Sequence, residues 1–284
     1  MKAFIRTFFA TLLAMVVLLA IIAGVIGSKA GKKPQIKDGS YLVVDVYGDI
    51  PPYDAPGGVM NEILGGDNET LHRILSNLDK VPADDRIKGV IFKVSSSNNL
   101  GMAAMEEIRG AIKKVRDSGK KVVTFSDSMD RNTLYLASAC DSIYMPVTGN
   151  FMFVGFGSGA MYVKNTLDKL GIKVDLHKIA DYKSAAEMVT RTDMSPDARE
   201  MRNWIMDDLW AVGMNALSED RGLSEEKINE LMEYALFTAQ EAKDAGLIDD
   251  ILYWDELEAR LRGEDDEELA TVSQKAYAGV EREK

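Results

Sequence analysis

Cysteine and histidine are almost absent from this 284-residue chain. The single cysteine, Cys140, excludes an internal disulfide and a cysteine-rich metal site, and we expect it to be a small core residue. The two histidines, His72 and His177, lie far apart and have no metal-ligand spacing to a third candidate, so neither is assigned a role. We therefore predict no metal and no cofactor. Hydrolytic chemistry here would have to use Ser, Lys, Asp or Glu.

Positive charge is also scarce. Lys and Arg total 34 against 45 Asp and Glu, which gives a net charge of -11. Basic residues cluster only in residues 1–37, which contain six cations and no acid. This distribution argues against a nucleic-acid partner, and a basic cluster beside an apolar run favours membrane lipid headgroups as the partner of that segment.

Charge is missing altogether from residues 7–26, which read TFFATLLAMVVLLAIIAGVI. A helix of this length spans about 30 Å of hydrocarbon, longer than the apolar core of a cleaved signal peptide. We therefore predict a signal anchor with one transmembrane helix at residues 1–27 and a linker at residues 28–40. Cations flank both sides of the run, so charge alone does not orient it. A short N-terminus before a large acidic domain favours a domain outside the cytoplasm.

Strands and helices alternate in the part of the chain that follows. Buried strands bounded by turns and separated by helices imply crossover connections, and hence an α/β fold with a mostly parallel sheet. A further strand and glycine-rich turn at residues 151–161 do not fit the dinucleotide-binding fingerprint. The predicted strands are 41–48, 87–94, 120–126 and 142–146, and the predicted helices are 68–81, 102–117 and 131–140.

The C-terminal third is predicted to be helical. Ser195 and Pro196 form an N-cap and first helical residue of a helix that runs to about residue 217. Ser224 caps the next helix, and residues 238–241 form the capping box of a short helix that Gly246 ends. Apolar periodicity is lost after residue 263. We therefore assign residues 41–262 to the folded domain and residues 263–284 to a connecting tail.

A lysine in the stretch IADYKSAAE, residues 179–187, is a candidate general base. An unshielded lysine is neutral in only about one molecule in 2,500 at pH 7, but burial lowers its pKa and would let Lys183 deprotonate a serine hydroxyl. Its small neighbours and its position after a strand-like run favour such a site. Glu187, four residues further on, could instead pair with a charged ammonium group. The residues alone leave both interpretations open.

The segment DYKSAAEMVTRTDMSPDARE, residues 181–200, resembles the stretch around the catalytic lysine of the signal peptide peptidase A family, which is also called protease IV. Segments such as SGKKVVTFSDS, YLASACDSIYM and EAKDAGLIDDI also have family counterparts. The resemblance implies a fold of the ClpP and crotonase type and a serine–lysine dyad that hydrolyses cleaved signal peptides. Lys183 would be the general base, with an amine that is shielded from water and uncharged near neutrality.

Two departures from the family pattern concern the other half of this dyad. Asn132 stands where a repeat of the family that carries the nucleophile has its serine. Residues 95–99, Ser-Ser-Ser-Asn-Asn, replace the glycine-containing turn whose amides form the oxyanion hole. By this resemblance the chain is the N-terminal repeat of the long two-repeat form, inactive alone, with its serine supplied by a second repeat. Ser126 and Ser128 are the local substitutes, and we interpret them as turn or cap serines.

The resemblance also implies partners and a location. Peptide substrates, membrane lipid and further copies of the chain are the expected partners, with a homotetramer as the expected assembly. The expected location is a bacterial inner membrane, crossed once, with the soluble domain facing the periplasm. The main alternative is a catalytically silent ClpP-like scaffold or gating module. A crotonase-type acyl-CoA enzyme shares the fold, but the predicted anchor and the missing oxyanion turn disfavour it.

Overall fold

Two β-sheets organise the folded part of this chain. The computed structural model describes residues 2–29, 36–53, 69–263 and 267–280, and in the first helix it describes the side chains of residues 4–18 and 20. The strands of these residues are β1 (Ser40–Val46), β2 (Ile87–Val94), β3 (Lys121–Phe125), β4 (Ser128–Asp130), β5 (Ser142–Met145), β6 (Asn150–Phe153), β7 (Ala235–Thr238), β8 (Asp250–Ile251) and β9 (Thr271–Ser273).

Helices connect most of these strands. The described helices are α1 (Lys2–Lys29), α2 (Leu71–Lys80), α3 (Met102–Asp117), α4 (Arg131–Ala137), α5 (Lys164–Lys169), α6 (Glu187–Thr190), α7 (Pro196–Arg221), α8 (Glu225–Tyr234), α9 (Ala239–Asp244), α10 (Trp254–Leu261) and α11 (Gln274–Ala278). A short 3-10 helix at Val81–Ala83 follows α2.

The larger sheet has six strands in the order β8-β5-β3-β2-β1-β9, and every neighbouring pair is parallel. The smaller sheet has the order β4-β6-β7, with one parallel and one antiparallel pair. The predicted α/β class with a mostly parallel sheet is therefore confirmed. The predicted bounds of the second strand and of the helix that follows it agree with β2 and α3.

Apolar side chains cover both faces of the central strands, as expected for parallel strands with near-continuous apolar sequences. On one face, Leu42 and Phe92 pack with buried residues of α2 and α3. On the other face, Ile91 packs with Leu257 of α10. A separate core, which includes Phe151, joins the small sheet to α7 and α8.

The predicted helix caps are present in the C-terminal third. Ser195 Oγ accepts a hydrogen bond from Ala198 N at 3.2 Å, and Pro196 is the first residue of α7. The helix extends beyond the predicted end, to Arg221. It ends there because Gly222 adopts the left-handed conformation (φ 66°). The capping box of Thr238 with residue 241 is also confirmed.

Cys140 is buried, as predicted, and has no disulfide partner. Its Sγ atom accepts a hydrogen bond from Thr124 Oγ1 at 3.0 Å. Burial raises the pKa of the Cys140 thiol to about 12. A thiol that holds its proton so firmly is a poor nucleophile, so its role is packing.

The N-terminal segment is helical in the structure. Residues 2–29 form α1, which covers most of the predicted 1–27 segment. Among the described residues, however, no helix combines the length and the apolar character that crossing a membrane requires.

The predicted tail is in part folded, which corrects the domain boundary placed at residue 262. Strand β9 pairs with β1 at the edge of the large sheet, and Tyr277 of α11 is fully buried. The side chain of Gln274 forms two hydrogen bonds with the backbone of Asp45. Its Oε1 atom accepts from Asp45 N at 3.0 Å, and its Nε2 atom donates to Asp45 O at 3.3 Å. Lys80 Nζ donates to Tyr277 O at 3.0 Å. These contacts make residues 271–278 part of the domain rather than a linker.

Tyr277 should stabilise the whole domain. Replacing Tyr277 with Ala removes a fully buried ring, so we expect the free energy of unfolding to fall by about 3–5 kcal/mol. Replacing it with Phe removes only the hydrogen bond from Tyr277 Oη to Asp84 Oδ2, for which we expect about 1 kcal/mol. Urea unfolding of both variants measures the difference. Wild-type stability of the Ala variant would show that α11 does not belong to the cooperative unit.

Candidate active site

Lys183 lies in a turn just before α6, within a stretch that has no buried residue. Its backbone N donates to Ala180 O at 3.1 Å, and its side chain is exposed. Among the described residues, no hydrogen bond or ion pair of Lys183 Nζ is present. The expectation of an amine shielded from water is therefore not met within this chain, and shielding would require a covering partner.

Glu187 does not pair with Lys183, although its spacing allowed this. Its carboxylate is buried and accepts hydrogen bonds from Ser195 Oγ at 2.6 Å and from Ser195 N at 3.0 Å. Lys178 Nζ lies 3.9 Å from Glu187 Oε1. The hydrogen bond from the Ser195 hydroxyl is the main cause that lowers the pKa of Glu187. Glu187 thus fastens the Lys183 turn to the start of α7.

The stretch that carries Lys183 lies outside the buried core. We call residues 154–186 the arm, and none of its residues is buried. Exposed apolar side chains on the arm and on the adjacent helices include Met161, Leu170, Ile172, Ile179, Tyr182, Met188, Trp204 and Ile205. Exposed apolar surface of this extent indicates an interaction site.

A cavity of about 280 Å³ lies beside the Lys183 turn. Residues 159–162 form one wall, and Ser184 and Ala185, which directly follow Lys183, form another. Arg202 of α7 also lines it and holds the first wall, since its guanidinium donates to Ser158 Oγ at 2.8 Å and to Gly159 O at 3.1 Å. The cavity is thus built from the arm and α7.

Asn132, which the resemblance aligns with the family nucleophile, is hydrogen-bonded within this chain. Asn132 lies in the first turn of α4, where Asp130 Oδ1 caps the helix by accepting from Thr133 N at 2.7 Å. Asn132 Oδ1 accepts from the Arg131 guanidinium at 3.1 Å. That guanidinium lies 3.5 Å from the centre of the Phe156 ring and donates to Gly155 O at 2.8 Å. Arg131 therefore joins α4 to the start of the arm.

Residues 95–99 offer no free amide for an oxyanion. Every backbone N–H of this loop donates to an acceptor within the chain. The acceptors are Val46 O for Ser95, Ser128 O for Ser96, Ser95 Oγ for Ser97, Ser95 O for Asn98 and Gly48 O for Asn99, at 3.0 to 3.4 Å. Amides that are already bonded are not available to stabilise an oxyanion.

Ser126 and Ser128 are both engaged in local structure. Ser126 is buried, and its Oγ donates to Ser128 O at 2.9 Å. Ser128 Oγ lies 2.6 Å from Ser96 Oγ, and it donates to Asn150 Oδ1 at 3.3 Å. The structure places no lysine or histidine partner on either hydroxyl among the described residues. Their interpretation as turn serines is favoured.

Sequence reasoning missed a buried charged group beneath α4. Arg109 of α3 is 4% exposed, and its guanidinium donates to Asp220 Oδ2 at 2.6 Å and to Ser138 Oγ at 2.8 Å. It also lies over the Tyr135 ring, 4.3 Å from its centre. These contacts connect α3, α4 and α7. The sequence pattern that could have revealed it is an arginine within the apolar face of α3, next to Ile108.

The observed fold is an α/β domain with a mostly parallel six-stranded sheet. Residues 114–267 match the model of Peptidase family S49. That match covers more than half of the chain, and the chain therefore belongs to Peptidase family S49. The resemblance inferred from the sequence is confirmed at this level.

The curated relatives are of the same type. The chain is 29% identical over 252 residues to the chloroplastic serine protease SPPA of Arabidopsis thaliana, a match that covers 87% of this chain and 36% of that protein. It is 31% identical over 167 residues to Protease 4 of Haemophilus influenzae, covering 56% of this chain and 27% of that protein. The chain thus spans about a third of the length of these two relatives.

Likeness among solved structures is weaker. A membrane-bound stomatin-specific protease is similar with a TM-score of 0.44 and 14% identity, over 80% of this chain and 86% of that one. A score and an identity this low say nothing about activity.

The bond between Glu187 and Ser195 should make the stability depend on acid. Because the pKa of Glu187 is lowered in the folded state, its contribution is complete above the unfolded pKa and is lost as the pH falls below about 4. Replacing Glu187 with Gln should lower the free energy of unfolding by about 1–3 kcal/mol at pH 7. The difference in the free energy of unfolding between the variant and wild type should be smaller at about pH 3.

Urea titrations at the two pH values measure this difference. Glu219, an exposed residue of α7, provides the control through its Gln variant, which should match wild type at both. An equal difference at both pH values would contradict the assigned role of the Glu187 carboxylate.

Proposed function

We propose that this chain is the lysine-bearing repeat of a membrane-anchored serine peptidase that degrades cleaved signal peptides. Lys183 would be the general base, and the nucleophilic serine would come from a second repeat outside this chain. The observation that carries the proposal is that the chain presents a candidate base but neither a nucleophile nor free oxyanion amides at the expected positions. Lys183 stands on an exposed arm beside a cavity, while the position of the nucleophile holds Asn132 and the amides of residues 95–99 are already bonded.

The exposed Lys183 fits this proposal only if another repeat covers it. An ammonium group in water is a poor base, but a covering surface would desolvate it and lower its pKa. Neutral Nζ would then accept the serine proton as the serine oxygen bonds to the peptide carbonyl carbon. The proton would pass to the leaving nitrogen as the peptide bond breaks, and water would release the acyl group by the same route.

The arm supports the proposed assembly. A stretch of residues 154–186 without one buried residue, carrying large apolar side chains, is costly to leave in water. A homotetramer is the assembly we propose, with the arm of one copy covered by another. Its peptide substrates would reach the cavity beside Lys183.

The membrane anchor is also part of the proposal. Residues 7–26 contain no charged residue, and residues 2–29 form one helix. Basic residues on both sides of the run suit lipid headgroups. We propose a single-pass protein of a bacterial inner membrane, with the soluble domain on the periplasmic side.

A second candidate function belongs to a different class. Asn132 and the occupied amides of residues 95–99 also suit a catalytically silent ClpP-like scaffold that anchors or gates an assembly. The coding sequence downstream of residue 284 separates the two functions. A second repeat with a Ser-Gly-Gly segment supports the peptidase, and a stop codon supports the scaffold.

Replacing Lys183 with Met in the intact two-repeat protein should lower peptide turnover by at least about 10²-fold, because the serine loses its base. Membrane association and oligomer size should remain those of wild type, since the exposed Lys183 side chain has no described structural partner. Lys173, another exposed lysine of the arm, provides the control as its Met variant. Wild-type turnover by the Lys183 variant would refute the assignment.

The chain without a second repeat should not react with a fluorophosphonate probe. Ser126 and Ser128 are held in local hydrogen bonds, and no base faces either of them among the described residues. Mass spectrometry after incubation measures the labelling, with the intact two-repeat protein as the positive control. A labelled serine within residues 36–280 would overturn this prediction.

A further inference from the structure

A cleft opens at the carboxyl ends of β1, β2 and β3, on the face of the sheet that α10 covers. Its volume is about 290 Å³. Asp45, Lys93 and Phe125 are neighbours in register across the three strands, so their side chains form one row along its floor. Ligands of parallel α/β sheets bind at this edge. Tyr47, Ser95, Ser97 and Asp127 also line the cleft.

Asp45 is a half-buried carboxylate, and Lys93, its neighbour in register on β2, does not bond it. Among the described residues, its carboxylate has no hydrogen bond, and no ion pair joins it to Lys93. Burial raises the pKa of the Asp45 carboxyl above its ordinary value, and attraction to Lys93 opposes that effect. A carboxylate that is partly withdrawn from water and accepts no hydrogen bond is unfavourable, and a cationic ligand would supply the donor.

The ammonium group of Lys93, which lines the cleft, is held by an aromatic ring. Its Nζ atom lies 3.4 Å from the centre of the Trp254 ring, a cation–π contact. The ring of Trp254 is itself held edge-to-face by Phe125, at 5.4 Å between centres. Tyr47, 61% exposed, offers a further aromatic ring at the opening of the cleft.

The balance of charge in the cleft decides the class of ligand. Asp45 and Asp127 contribute two carboxylates against the single ammonium of Lys93. A carboxylate ligand would meet net negative charge, whereas an ammonium or guanidinium group would meet carboxylates, hydroxyls and aromatic rings. The volume is small for a ligand site, so it suits one side chain rather than a large cofactor.

We propose that this cleft binds the cationic side chain of a peptide, a lysine ammonium or an arginine guanidinium, between Asp45, Asp127 and Tyr47. The identity of the ligand as a peptide rests on the proposed function, but the binding of a cationic group does not. Ser95 and Ser97 belong both to the cleft and to the 95–99 loop, so an occupant would contact that loop.

Binding is measured on the full chain by isothermal titration and by NMR chemical shifts, with Nα-acetyl-lysine methylamide and Nα-acetyl-arginine methylamide as probes. Nα-acetyl-norleucine methylamide has a similar shape without the charge and should bind at least about tenfold more weakly. Replacing Asp45 with Asn should weaken lysine binding about tenfold or more, and Asp127→Asn should weaken it less. Asp117→Asn, at the exposed end of α3, is the matched control and should bind as wild type does.

Three results would overturn the proposal: equal binding of the norleucine compound, unchanged binding by the Asp45→Asn variant, or stronger binding of Nα-acetyl-glutamate methylamide. The last would instead indicate an anion site at Lys93. Urea unfolding of the Asp45 variant verifies its fold, and the exposed Asp127 provides a second variant if that fold is lost. Because binding is measured without hydrolysis, its failure is distinct from failure of the peptidase proposal, which the Lys183 variant tests.

Discussion

Parallel pairing of β1 with β2 is the constraint on which the rest of this structure depends. The register runs without interruption from Tyr41 opposite Gly89 to Val46 opposite Val94. Parallel neighbours require crossover connections, so helices must cover the sheet, and all strands end at one edge. That edge brings together the 95–99 loop and the Asp45 cleft, although these residues are far apart in the chain.

Elements with a strong local signal could be predicted from the sequence. The bounds of β2 and α3 follow from a continuous apolar run and from an amphipathic segment that a glycine ends. The strand β9 could not be predicted, because it has three residues and only Val272 among them is buried. Its pairing with β1 depends on a contact across more than two hundred residues, which local periodicity does not record.

Some features of the candidate site could likewise be predicted from the sequence, and others could not. Lys183 could be located from the sequence because its neighbours carry a specific resemblance, and Asn132 because it stands where a serine was expected. The partner of Glu187 could not be predicted: helical spacing suggested Lys183, but the carboxylate bonds Ser195, which lies beyond the end of α6. The exposure of Lys183 is likewise a property of the arm as a whole, and no single residue of the arm indicates it.

The large sheet is complete only after β9 has been synthesised, because β9 pairs with β1 near the other end of the domain's sequence. Until residues 271–273 leave the ribosome, β1 remains an unprotected sheet border with free backbone donors and acceptors. Such a border can recruit a strand from another nascent molecule. Premature termination before residue 271 would therefore produce chains with a tendency to aggregate, even though most of their apolar core could form.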